Sequence, residues 1–244
     1  MRQRWTPDTI RFLRDAAANS NYYQQIARRA AAFFPRSARV CDAGCGLGEL
    51  SLALLPYCRH VTAVDVCPAP LANLADRLTA EQRARLEPVC GDVLASRGWY
   101  DAMVFCLFGS MEEILSAVRT QCAGTAVAIK RDCAVHRFTA GGRDMTSHSA
   151  ETAEALLRER GIPYRAETLE LALDQPFRSV EDAERFFRAY NPEAAAFPAE
   201  LLRRLEPGPS PEFPLRLPNR KRLRLLAFPA EAVRGGAPGC PHSG

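Results

Sequence analysis

Val40-Cys41-Asp42-Ala43-Gly44-Cys45-Gly46-Leu47-Gly48 decides the reading of this 244-residue chain. A short apolar run ends in an acid, turns through three alternate glycines, and leads into an apolar helical pattern that continues to Leu55. Glycines at such a turn let the backbone reverse tightly and let a ligand approach it closely. Working outward, Ala38–Asp42 reads as strand one, and the strands His60–Asp65, Leu86–Cys90, Tyr100–Cys106 and Thr125–Lys130 follow. Helical patterns at Pro70–Leu78 and Met111–Thr120 separate them. Pro88 demotes strand three towards a sheet edge, because proline cannot donate to the ladder. Strands this apolar, alternating with helices, predict an α/β fold: a doubly wound, mostly parallel sheet covered on both faces.

Two helices precede strand one. The first opens on Thr6-Pro7 as N-cap and first turn, and the second runs from Tyr22 to Phe34. After strand five comes a polar stretch, Asp132 to Ser149, then a helix from Ala150, a strand over Tyr164–Leu173, and a cap at Ser179-Val-Glu-Asp182. A helix to Tyr190 and a second over Ala194–Leu205 are expected next, then a last strand over Lys221–Phe228. The chain thus divides into N-terminal cap helices (1–36), a ligand-binding domain (37–228, with an insertion at 174–219) and a glycine- and proline-containing tail (229–244) expected to be disordered.

Composition narrows the classes. Hydrophobic residues make up 47% and charged residues 25%, as in a globular protein. No apolar run reaches the roughly 18 residues of a membrane span, and no apolar signal core follows the N-terminus, so a cytoplasmic location without membrane attachment is expected. The nine cysteines form no CxxC pair, which argues against a disulfide framework or zinc site and for small buried hydrophobes; no metal is expected. The net charge of +4 calls for no nucleic-acid partner. Lys130, one of two lysines, is expected to snorkel or to pair with an acid.

Two cofactor classes use an acid–glycine turn of this kind. A dinucleotide needs G-x-G-x-x-G to cradle its pyrophosphate, but here the spacing is G-x-G-x-G and residue 49 is glutamate. Asp42, just ahead of the turn, would repel a pyrophosphate and attract a cation. S-adenosylmethionine (SAM) carries a cationic amino group and a sulfonium, and its carboxylate can use the helix N-terminus. Asp65, at the tip of strand two, is placed to hold ribose hydroxyls, with Val66 beside it. In Gly91-Asp92-Val93 the acid can take an adenine amino group and the valine can flank the ring. Phe105-Cys106, at the end of strand four, should border the methyl donor.

On these segments the chain resembles the class I SAM-dependent methyltransferases, in its small-molecule branch. The resemblance implies a seven-stranded sheet whose last strand is antiparallel, SAM as cofactor, and Asp42, Ala43, Gly44, Cys45, Gly46, Asp65, Val66, Asp92, Val93, Phe105 and Cys106 around it. It implies that the N-terminal helices cover the donor, where Tyr22 and Tyr23 fit, and that 174–219 forms a lid. The Asn/Asp-Pro-Pro-Tyr/Phe motif of base and glutamine N-methylation is absent after strand four, where Phe105-Cys-Leu-Phe-Gly-Ser110 stands instead. The reaction expected is in-line methyl transfer to a small molecule; the alternatives are an RNA methyltransferase or a non-catalytic SAM-binding protein. His136 and His148, in the polar stretch, are the candidate general bases.

Overall fold

The computed structural model describes residues 5–132, 148–191 and 202–235. Its centre is a seven-stranded sheet of β1 (Arg39–Ala43), β2 (His60–Asp65), β3 (Leu86–Cys90), β4 (Tyr100–Cys106), β5 (Cys122–Arg131), β6 (Arg165–Ala172) and β10 (Arg220–Pro229). The spatial order is β3-β2-β1-β4-β5-β10-β6. β10 is antiparallel to both neighbours; the other pairings in the sheet are parallel. β3 takes the edge, as Pro88 requires. Chain order reverses between β1 and β4, which opens a crevice at their carboxyl ends, where open α/β sheets bind ligands.

Alternation along the strands builds two cores. One face carries Val40, Val61, Ala63, Val104, Ile129 and Leu225 against α2 (Tyr22–Ala30) and α3 (Glu49–Leu54). The other carries Cys41, Met103, Phe105, Ala126, Leu226 and Phe228 against α6 (Met111–Gln121) and α7 (Ala150–Glu159). The remaining sheet-flanking helices are α4 (Pro68–Arg77) and the short α5 (Ala80–Arg83).

The tail departs from expectation. Ala230–Gly235 is a helix, with Ala230 and Val233 buried in the second core, so order extends past Pro229. Two apolar residues on one face outweigh the breaker-rich composition, which misled the sequence reading. Residues 236–244 lie outside the described part.

Residues 174–219 contain more than the helix expected. α8 (Val180–Tyr190) is preceded by β7 (Gln175–Phe177) and followed by β8 (Glu206–Pro207) and β9 (Leu215–Leu217), which form a separate three-stranded sheet. The second expected helix, with Phe197 and Leu201, falls mostly outside the described residues. α1 (Pro7–Ala18) docks this insertion: Phe12, fully buried, packs edge-on to Phe177 and Phe186. The Ser179 hydroxyl caps α8 by accepting from the Asp182 N–H, but the Asp182 carboxylate does not complete a capping box. It accepts from Arg11 of α1 at 2.5 Å and from the Arg178 N–H, so it ties α8 to the N-terminal helix.

Candidate active site

The turn after β1 adopts positive φ at Gly44 (74°), Gly46 (54°) and Gly48 (71°). Side chains are costly there for steric reasons. At Gly44 a Cβ would run into the Phe108 ring, and at Gly48 into Leu74. Gly46 faces the indole of Trp5, which a Cβ would meet at 3.0 Å.

The first three amides of the turn are spent internally. Gly44 N–H and Cys45 N–H both donate to the Val64 carbonyl, at 2.8 and 3.0 Å. Gly46 N–H donates to Asp65 Oδ2 at 2.9 Å. These amides therefore offer no nest to a pyrophosphate. Asp65 Oδ1 accepts from the Cys67 N–H at 2.9 Å. Each oxygen of this half-buried carboxylate thus takes one N–H, and a carboxylate has about four acceptor sites, which leaves capacity for ligand hydroxyls.

Asp42 lies beneath the turn, 1% exposed, where the Ser51 hydroxyl donates to it at 2.5 Å. Burial pushes its carboxyl up to about 6; the Ser51 hydrogen bond opposes that shift and the nearby Asp65 charge adds to it. Both acids favour a cationic ligand over an anionic one beside the turn.

The wall opposite is the loop after β4. Leu107 (φ 56°) and Gly109 (φ 47°) are both left-handed, a strained state for leucine. Lys130 holds this loop: its ammonium donates to the Phe108 and Gly109 carbonyls at 2.9 and 2.6 Å. The expectation that Lys130 snorkels or pairs with an acid is corrected, since the side chain is 1% exposed and satisfied by carbonyls. Burial lowers its pKa to about 8.

The expected site residues separate by direction. Gly44, Cys45, Gly46, Asp65, Val66 and Cys106 are partly open around the crevice, and Asp92 is exposed. The Asp92 carboxylate accepts from the Leu94 N–H at 2.9 Å as a turn residue. Ala43, Val93 and Phe105 turn their side chains into the second core, at 0, 3 and 0% exposure. Phe105 sits there because strand alternation sends it opposite to Cys106, so only its backbone borders the crevice. The Asp101 carboxylate accepts from the Arg39 N–H at 2.7 Å, a structural role. His148 Nδ1 lies 2.7 Å from the Gly109 carbonyl, which only accepts, so Nδ1 carries the hydrogen and Nε2 is left as the acceptor nitrogen. His136 lies outside the described residues.

From α2, Tyr22 is buried and Tyr23 half-buried, their rings edge-on at 5.0 Å. Burial raises the Tyr23 hydroxyl far above its usual range, and Cys106, Glu49, Tyr190 and Asp42 add to that. These neighbours put Tyr23 near the carboxyl end of the sheet, within the electrostatic reach of Tyr190 of α8. Sequence reading missed Trp5. Its signal was its place immediately before the Thr6 N-cap, where an apolar residue packs back on the first turns.

Sheet order, reversal point and turn are those of a Rossmann-like α/β fold. Residues 40–124 match the family model described as a methyltransferase domain. No curated protein sequence matches the chain. A protein assigned as a type II methyltransferase from Anaeromyxobacter dehalogenans shares the fold with a TM-score of 0.55 and 16% identity, over 86% of this chain and 97% of that one. One assigned as a methyltransferase from Bacillus halodurans gives 0.52 and 13%, over 85% and 98%. One assigned as an RNA methyltransferase from Pyrococcus horikoshii gives 0.51 and 15%, over 85% and 81%. Residues 40–124 thus carry a methyltransferase domain, and the chain as a whole shares the fold of these structures. Among the described residues no helix is long and apolar enough to cross a membrane.

The folded chain holds the Asp42 proton up to about pH 6, whereas an unfolded carboxylate loses it near pH 4. The native state therefore binds more protons in that window, and Asp42 makes stability fall as pH rises from about 4 to about 6. Urea unfolding of Asp42→Asn across that range should show a weaker fall than the parent; an identical slope would refute the burial effect. Trp5 lies against Gly46, whereas Trp99, 57% exposed, immediately precedes β4 at the far end of the sheet. Titrating the demethylated cofactor S-adenosylhomocysteine (SAH) should change tryptophan emission in the parent and in Trp99→Phe but not in Trp5→Phe. A response confined to Trp99 would contradict the placement.

Proposed function

We propose that this enzyme transfers the SAM methyl group to a small-molecule acceptor by direct in-line displacement. The observation that carries the reading is the convergence of aromatic side chains from two separate elements on the donor end of the crevice. α2 brings Tyr22 and Tyr23, and the insertion after β6 brings Tyr190 within the electrostatic reach of Tyr23. β6 ends and β10 begins at the carboxyl edge, so the insertion between them stands over the crevice. Aromatic walls of this kind suit a small, partly apolar acceptor. Exposed arginines such as Arg160, Arg178 and Arg185 are paired with Glu112, Asp15 and Asp8, which speaks against a continuous basic surface for RNA.

In this reading Asp65 holds the ribose hydroxyls, while Gly44, Cys45 and Gly46 let the cofactor lie close to the backbone. Asp42 supports the turn from below and favours the cationic end. Val66 and Asp92 flank the adenine, with Val93 reaching it only through its backbone, and Ala43, Phe105 and Cys106 border the methyl donor, the first two through their backbone. SAM supplies a methyl group already activated by the sulfonium, so the chain's residues orient the acceptor and exclude water. For an acceptor that arrives protonated, His148 Nε2 is the candidate base.

Replacing Asp65 with alanine should weaken SAH binding on the order of tenfold, the loss of charge-assisted hydrogen bonds. Incubating the enzyme with methyl-labelled SAM and extract of the source cells should place label in the small-molecule fraction, and Asp65→Ala should reduce it. Label confined to RNA or protein would overturn the small-molecule assignment.

A further inference from the structure

The face of the sheet beneath α2 carries a cationic group that no described acid answers. Cys106 pairs with Ile129 across β4 and β5, and Arg131 pairs with Leu223 across β5 and β10. Paired residues project to the same side, as do residues two apart along a strand. Cys106, Ile129, Arg131, Leu223 and Lys221 therefore share one side, the side that α2 covers. Over them lies Tyr22, with the Lys221 ammonium 6.0 Å from its ring centroid.

Two groups in this patch lack partners among the described residues. The Tyr22 hydroxyl is buried, its residue 1% exposed, and makes no hydrogen bond among the described residues. Leaving such a hydroxyl unpaired is costly, so it is a group waiting for an acceptor atom. The half-buried Arg131 guanidinium forms no ion pair among the described residues, although its neighbours do: Arg222 binds Asp132 at 2.9 Å and Arg224 binds Glu154 at 2.6 Å. The acids at this end are otherwise engaged, Asp42 by Ser51 and Glu49 by Arg77 at 2.7 Å. The Arg131 charge is felt at both Tyr22 and Cys106, which puts the three close together. Burial pushes the Cys106 thiol up to about 12, so it stays protonated and adds no competing negative charge.

We propose that the methyl acceptor carries a carboxylate, bound between the Arg131 guanidinium and the Tyr22 hydroxyl, with its apolar body against Tyr23 and Tyr190. The inference rests on the crevice being the acceptor site of a small-molecule methyltransferase. Guanidinium offers a carboxylate two parallel N–H donors, and the phenol adds a third. A neutral acceptor would leave the Arg131 charge without a partner among the described residues, so the site selects by charge.

The test uses benzoate as probe and benzamide as its neutral counterpart, each titrated calorimetrically into the full chain saturated with SAH. Benzoate should bind and benzamide should not. Arg131→Gln should weaken benzoate by about tenfold or more while SAH affinity holds, Arg131→Lys should recover part of the loss, and Tyr22→Phe should weaken benzoate by a smaller factor. Equal binding of the two probes, no benzoate binding to SAH-loaded protein, or unchanged benzoate affinity in Arg131→Gln would overturn the subsite. Failure of the parent chain to bind SAH at all would instead overturn the cofactor site, and the subsite with it.

Discussion

The short reversal from β1 into α3 constrains everything around it. Within Ala43–Gly48 the backbone is left-handed at alternate residues, and a different element closes on each: the β4 loop through Phe108, the N-terminal segment through Trp5, and α4 through Leu74. Gly46 N–H donates to Asp65, which fixes the end of β2 to the same turn. The loop after β4 is then held from β5 by Lys130, and His148 closes on the same Gly109 carbonyl. The acids, the turn and the donor wall are thus one mechanically linked unit, as preorganised binding of a fixed cofactor requires.

The sheet was legible because its signals are local. Apolar runs of five to seven residues, breakers between them and an edge-marking proline determine order and type without tertiary information. The turn was legible for the same reason. What escaped the reading depends on register or on long-range pairing. β8 and β9, of two and three residues, are too short for alternation to register, and they exist because β9 pairs with both β8 and β7. Lys130 looked like a strand-end cation; only the positions of Phe108 and Gly109 across the sheet show that it holds a loop. Arg131 is one residue on and faces the opposite way, a distinction that no composition carries. Phe105 and Cys106 looked equivalent at the end of β4, and alternation sends one into the core and the other to the crevice.

The N-terminal helices and the insertion after β6 behave as one cover. Phe12 of α1 sits among Phe177 and Phe186, and Arg11 and Arg178 engage Asp182 and Asp15 between the same elements. These covering elements lie outside residues 40–124, the segment that matches the methyltransferase model, and the proposed acceptor site draws on them. This division is physically reasonable: the cofactor is common to the class and needs a fixed cradle, whereas the acceptor varies and is met by added elements.

The central claim is that the Asp42–Gly48 turn, with its amides spent and two acids beside it, selects a cationic adenosyl cofactor over a dinucleotide. Titration calorimetry of the full chain with SAM, SAH and NAD tests it most directly. The account predicts SAM and SAH binding in the micromolar range, about −8 kcal/mol, and NAD binding weaker by orders of magnitude. Tight NAD binding without SAM binding would contradict it.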